Sequence, residues 1–233
     1  MYCGGQGIYS YYLTKALASL GHEVHLVSGP PYPKNPEGVT LHKVSNPNFF
    51  EKGNSALHDL DVKDIFKPIN LYEWITTRFG NFPEILGFSF RAIKKIEELN
   101  REINFDVIHD NQCLGYGFFI TKQLGLPMVA TIHHPLKIDR EKSIRESETV
   151  LGKVGSILYY PMIMQDLSIN AFEKLITVSE ASVFDIKEHF GVPRKNIELI
   201  YNGIDEELFK PVETENDFEN ELSFLFVGET ENK

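Results

Sequence analysis

Basic side chains are scarce: 23 Lys and Arg stand against 33 Asp and Glu in 233 residues, a net charge of −10. A surface of that sign repels polyphosphate, which excludes an extended nucleic-acid footprint but not a local basic pocket. Cysteine is scarcer still. Cys3 and Cys113 lie far apart, which excludes a disulfide framework and a clustered metal clip, and fits a reducing compartment. No apolar run approaches the ~20 residues that span a bilayer, and residues 1–7 have neither the basic nor the apolar part of a signal peptide. The expectation is a cytoplasmic protein, with peripheral contact at the inner face of a membrane left open.

What is present is enough apolar material, 42% of residues, for one sizeable core. Leu13, Ala16, Leu17 and Leu20 recur at helical spacing and predict a helix over 8–20, capped by Gly21. Strands follow at 24–28 and 39–44. Residues 45–70 read as irregular. Leu86, Ile93, Ile96, Leu99 and Ile103 mark the buried stripe of a helix. Strands at 106–109, 128–133, 175–178 and 197–200 then alternate with helices at 116–124 and 180–190, and a helical stretch after Gly155 is kinked or restarted at Pro161. This alternation predicts an α/β fold, a Rossmann-like, mostly parallel sheet with helices on both faces.

The two ends carry further expectations. The chain opens on Gly4-Gly5-Gln6-Gly7, a glycine loop of the kind that follows a buried central strand, so that strand is expected to be missing. Glu213, Glu215, Asp217, Glu219 and Glu221 fall together without a Lys or Arg and read as a solvated linker. Residues 223–228, SFLFVG, then read as the first strand of a second, cut-off domain. The division is 1–212, 213–221 and 222–233.

Gly4, Gly5 and Gly7 form a loop able to approach a phosphate closely, or a tight structural turn. The spacing is not G-x-G-x-x-G, and no acid closes the next strand, which disfavours a nicotinamide-dependent oxidoreductase. His133 and His134 end a strand, so they point in opposite directions and one can face a cleft, where a neutral imidazole orients a sugar hydroxyl or accepts its proton. The alternative is a histidine satisfied by backbone. His109, Asp110 and Asn111 occupy the same sheet edge as hydroxyl binders or loop caps. Asn202-Gly203-Ile204-Asp205 is a turn. Residues 135–155, with Lys137, Arg140, Lys142 and Arg145, form an acceptor-side lid or a solvated helix face.

Taken in order, several passages resemble the N-terminal domain of glycosyltransferase family 4, enzymes of the two-domain GT-B fold. They are Gly4-Gly5-Gln6-Gly7 with Gly21-His22-Glu23-Val24, Phe105-Asp106-Val107-Ile108-His109, Thr131-Ile132-His133, Ile176-Thr177-Val178-Ser179-Glu180, Phe190-Gly191-Val192-Pro193 and Tyr201-Asn202-Gly203-Ile204-Asp205. The resemblance implies that His133 lies at the reacting sugar, that Gly4, Gly5 and Gly7 lie near the donor diphosphate, and that His109, Asn111, Ser179 and Glu180 line the sugar and acceptor cleft. Asn111 departs from the pattern, since the family often has a second histidine there. Glu229 departs too, where many members carry arginine. The implied activity is retaining transfer from a nucleoside-diphosphate sugar to an unidentified glycan, lipid-linked or small-molecule acceptor, without an obligatory metal or other cofactor. The diphosphate grip would come from the C-terminal domain, so the fragment is expected to be inactive and poorly folded alone. Another GT-B chemistry, such as a nucleotide-sugar epimerase or phosphorylase, and a non-catalytic carbohydrate-binding fragment are the alternatives.

Overall fold

The computed structural model describes residues 4–52, 55–56, 61–78, 83–122, 125–150, 153–154 and 162–211. The expected helical kink or restart at Pro161, the acidic linker, the strand at 223–228 and Glu229 lie outside these residues. Helix α1 spans Gly4–Ser19 and leads through Gly21, at φ +90°, into β1 (Val24–Ser28) and its parallel neighbour β2 (Val39–Lys43). Short helices α2 (Phe49–Lys52) and α3 (Val62–Ile65) precede α4 (Pro68–Thr77) and the long α5 (Glu84–Ile103). Then come β3 (Ile108–Asn111), α6 (Gly117–Lys122), β4 (Met128–Ile132) and α7 (Leu136–Glu146). The last part holds α8 (Met162–Ser168), β5 (Lys174–Thr177), α9 (Glu180–Phe190) and β6 (Ile197–Leu199).

Every strand pair among the described residues is parallel, in the orders β1-β2 and β3-β4-β5-β6. This is the expected Rossmann-like α/β architecture. Strand order therefore runs outward in both directions from the space between β1 and β3. A cavity of about 530 Å3 occupies that space, lined by Leu26 and Val27 of β1, by Ile108 and His109 of β3, and by Gly7 and Ser10 of α1. Ligands of open parallel sheets bind beyond the carboxyl ends of the strands at such a reversal, and not within the strand layer, where this cavity opens between β1 and β3. The core beside it packs Ile93 and Ile96 of α5 against Ile108, Met128, Ala130, Ile132 and Leu175.

Two features fix α5. Gly115 and Gly117 let the start of α6 lie directly on Ser89, and a Cβ at Gly117 would run into the Ser89 carbonyl. On the other side of α5, Arg91 donates to both Glu73 carboxylate oxygens of α4, at 2.7 and 2.6 Å, and to Asn70 Oδ1 at 2.7 Å. Gly87 leaves room for that carboxylate.

Several expectations need correction. Residues 4–7 are not a loop: α1 starts at Gly4, so these glycines form its first helical turn, with Ser10 Oγ donating to the Gln6 carbonyl at 3.0 Å. Residues 45–70 are not irregular throughout, because Pro68 starts α4 at a position where a missing N–H costs nothing. The third strand lies two residues later than predicted. Its ladder opens where Ile108 N–H meets the Pro127 carbonyl at 2.9 Å, and pairing with β4 overrides the low strand propensity of Asp110 and Asn111. Residues 136–146 of the segment expected to be a lid or a solvated helix face form a helix with no buried residue. Residues 202–205 do not form the expected turn: in the separate unit that holds 203–211 the turn lies at 206–208, where the Asp205 carbonyl accepts the Leu208 amide at 3.0 Å and the Phe209 amide at 2.9 Å.

Candidate functional site

Alternation along β3 buries Ile108 and Asp110 and turns His109 and Asn111 to the opposite face. In the parallel register Asn111 stands beside Thr131, and His133 continues the Thr131 face two residues on. The carboxyl ends of two strands thus bring His109, Asn111, Thr131 and His133 together beneath the start of α1, and of these His109 and Asn111 line the cavity.

A chain of hydrogen bonds sets the histidine's chemistry. Asn111 Nδ2 donates to the Gln6 carbonyl at 3.0 Å and to Ser10 Oγ at 2.7 Å. Its amide oxygen therefore faces His133, whose Nε2 lies 2.8 Å away and must carry the proton. Nδ1 is left as the basic atom and meets no protein partner among the described residues. The Tyr9 ring packs edge-on against the imidazole at 4.6 Å, and its hydroxyl joins Thr131 Oγ1 at 3.1 Å. His109 Nε2 reaches the same Thr131 oxygen at 2.7 Å. Burial lowers the pKa of His133 below the usual 6.5, and burial together with the neighbouring His133 does the same for His109. Both rings are therefore neutral near pH 7, the state in which Nδ1 can accept a proton.

Gln112 holds the strand end in place. It has φ +58°, and its Oε1 accepts the His133 amide at 2.6 Å and the His134 amide at 3.1 Å, while Nε2 donates to the His134 carbonyl at 2.6 Å. From the other side Ser182 Oγ donates to the His133 carbonyl at 3.0 Å. The adjacent histidines part as predicted, His134 Nε2 lying 2.9 Å from Asp139 Oδ1 on α7.

The profile of Glycosyltransferase Family 4 matches residues 3–208. The chain belongs to glycosyltransferase family 4. An MMP alpha-(1->4)-mannosyltransferase from Mycolicibacterium hassiacum is 36% identical over 213 residues, 91% of this chain and 51% of that protein. The chain thus spans about half the length of the curated relative it matches.

Within this family 4 chain the residues expected from sequence do not all play one part. His133, Asn111 and His109 come together. Ser179 is the N-cap of α9, its Oγ accepting the Ser182 amide at 3.1 Å and lying 2.9 Å from Ser182 Oγ, so it reaches the site only through Ser182. Glu180 opens α9 and is exposed. Gly7 lines the cavity, and a Cβ at Gly5 would meet nothing within 4 Å. Asp110, on the opposite strand face from His109 and Asn111, is buried and accepts the Leu114 amide at 2.9 Å, and burial raises its pKa to about 7. Burial, with the neighbouring Asp110, pushes the Cys113 thiol well above the ordinary range, and its Sγ lies 3.7 Å from the Ile85 carbonyl. Sequence reasoning missed Tyr9, Ser10, Gln112 and Ser182. Helical spacing from Gln6 would have found Tyr9 and Ser10 had α1 been started at Gly4. Among the described residues no group of three or more His, Cys, Asp or Glu is placed to hold a metal ion, and no helix is long and apolar enough to cross a membrane.

Proposed function

We propose that residues 1–212 are the acceptor-side domain of a two-domain GT-B enzyme that transfers a hexosyl group, with retention, from a nucleoside-diphosphate sugar. On this reading residues 213–221 link it to a donor-binding domain that begins at 222–233 and supplies most of the diphosphate grip. Mannose is the first donor sugar to test, because the relative described above is a mannosyltransferase.

The observation that carries the reading is the Asn111–His133 pair at the sheet reversal, with Nε2–H fixed by Asn111 and Nδ1 without a hydrogen-bond partner among the described residues. A neutral imidazole held in one tautomer can accept a hydrogen bond from a sugar hydroxyl without competing for its own proton. The first turn of α1, with helical amides and no side chain on Gly5, supports the approach of a phosphate.

The test is sugar transfer by the whole protein from nucleoside-diphosphate mannose, glucose and N-acetylglucosamine, followed by product analysis. His133→Ala should lower transfer by roughly a hundred- to ten-thousandfold while leaving the thermal midpoint nearly unchanged. Retained transfer in a folded His133→Ala, Asn111→Ala double variant would remove the site from the reaction. Release of an epimer or a sugar phosphate would redirect the reading to another GT-B chemistry.

A further inference from the structure

A second cavity, of about 660 Å3, lies away from the histidines, between the loop leaving β2, the start of α4 and the outer face of α5. Its size matches a small-molecule site. Its charge is opposite to that of the chain. Lys43, Lys52, Lys67, Arg91, Lys94 and Lys95 line it against only Asp64 and Glu98, in a protein where acids outnumber bases by 33 to 23.

The positions are set by secondary structure. Residues 91, 94, 95 and 98 follow the i, i+3, i+4, i+7 pattern and share one face of α5. Both lining acids are already engaged, Asp64 with Lys67 at 2.7 Å and Glu98 with Lys95 at 3.5 Å. Arg91 is spent on the buried Glu73. Lys94 meets no carboxylate among the described residues, and Lys43 packs its ammonium over the Tyr32 ring at 5.0 Å. Crowding cations in this way is repulsive unless an anion joins them. Neutral sugar hydroxyls need no such excess.

We propose that this groove binds a phosphate-bearing ligand, with Lys43 and Lys94 as the principal contacts. The phosphate can belong to a soluble sugar phosphate or to the headgroup of a phospholipid, and the two sources call for the same ammonium groups. The inference goes beyond sugar transfer and does not depend on it.

The experiment compares the full chain with Lys43→Glu, Lys94→Glu and the double variant. Lys142→Glu on α7, away from the groove, controls for overall charge. Glucose 1-phosphate and inorganic phosphate are titrated calorimetrically, and vesicles of phosphatidylglycerol or of phosphatidylcholine are co-sedimented with the protein. Saturable binding of a soluble phosphate, weakened roughly tenfold or more by each groove reversal but not by Lys142→Glu, supports a soluble ligand. The same pattern for phosphatidylglycerol alone, relieved by salt, supports a headgroup. No binding of any probe, or equal losses in Lys142→Glu and the groove variants, overturns the proposal. Loss of transfer with phosphate binding intact bears only on the histidine site.

Discussion

Two clusters of polar groups, one buried and one partly exposed, flank α5 and its neighbouring strands, and they end differently. In the first, Arg91 satisfies both oxygens of Glu73 and the oxygen of Asn70, and Asn70 Nδ2 donates to the Asp64 carbonyl at 2.7 Å. That cluster closes on itself. In the second, Asn111 ties Gln6 and Ser10 to His133, beside a separate Tyr9–Thr131–His109 set, and the chain of bonds stops at His133 with Nδ1 open. A closed cluster serves architecture, because nothing remains to bind a ligand. An open one, placed where strand order reverses, has an atom left for chemistry.

The sharpest way to break this contrast is to remove one member from each. Arg91→Ala leaves the Glu73 carboxylate, 1% exposed, without its partner. Burial already pushes the Glu73 pKa up against the pull of Arg91, so the orphaned acid should cost about 3–5 kcal/mol in denaturant unfolding. Activity should then fall only with the folded fraction. His133→Ala, at a half-buried position at the end of β4, should cost less than about 1 kcal/mol while removing transfer. If the two stability losses are equal, the distinction between closed and open clusters fails.

A smaller effect is expected at Gln112, which belongs to both categories because it closes its own bonds yet aims His133. Gln112→Ala strips the acceptor from two partly buried amides and the donor from the His134 carbonyl. The expected loss is about 1–3 kcal/mol in unfolding free energy. Transfer should fall through kcat with KM little changed, since the imidazole remains but is no longer held. A fall in stability with unchanged kcat would make Gln112 purely structural.

The difference between the clusters also decides what could be read in advance. Strand and helix alternation was legible from β-prone runs and the Ile93, Ile96 and Ile103 stripe, and α9 matches its expected bounds because Ser179 and Gly191 cap it by residue type. His133 was legible because a histidine at a strand end is a local signal. Gln112 was not, since a non-glycine residue at φ +58° whose amide bonds reach residues 133 and 134 depends on the pairing of β3 with β4. The Glu73–Arg91 pair was hidden for a related reason. It joins residues 18 positions apart in sequence on two helices, and for α4 the sequence offers no helical reading, its first three residues falling in the segment expected to be irregular.

The smallest expected effect is in pH dependence, and it too separates the site from its support. His133 and His109 titrate below 6.5 when folded, so between that lowered value and 6.5 the unfolded chain binds more protons. Their contribution to stability is full above 6.5 and is lost as pH falls. Asp110 has the opposite sign: with its folded pKa raised from 3.8 to about 7, its contribution is full below 3.8 and is lost as pH rises to about 7. Asp110→Asn keeps an oxygen for the Leu114 amide but cannot ionise. The stability of Asp110→Asn relative to the parent should therefore climb between pH 4 and pH 7 and level off beyond, as measured by urea midpoints across that range. His133→Ala should flatten only the acid limb below pH 6.5. A constant offset between Asp110→Asn and the parent at every pH would mean that the buried carboxyl ionises normally, and that the turn behind the histidine is not held by a neutral acid.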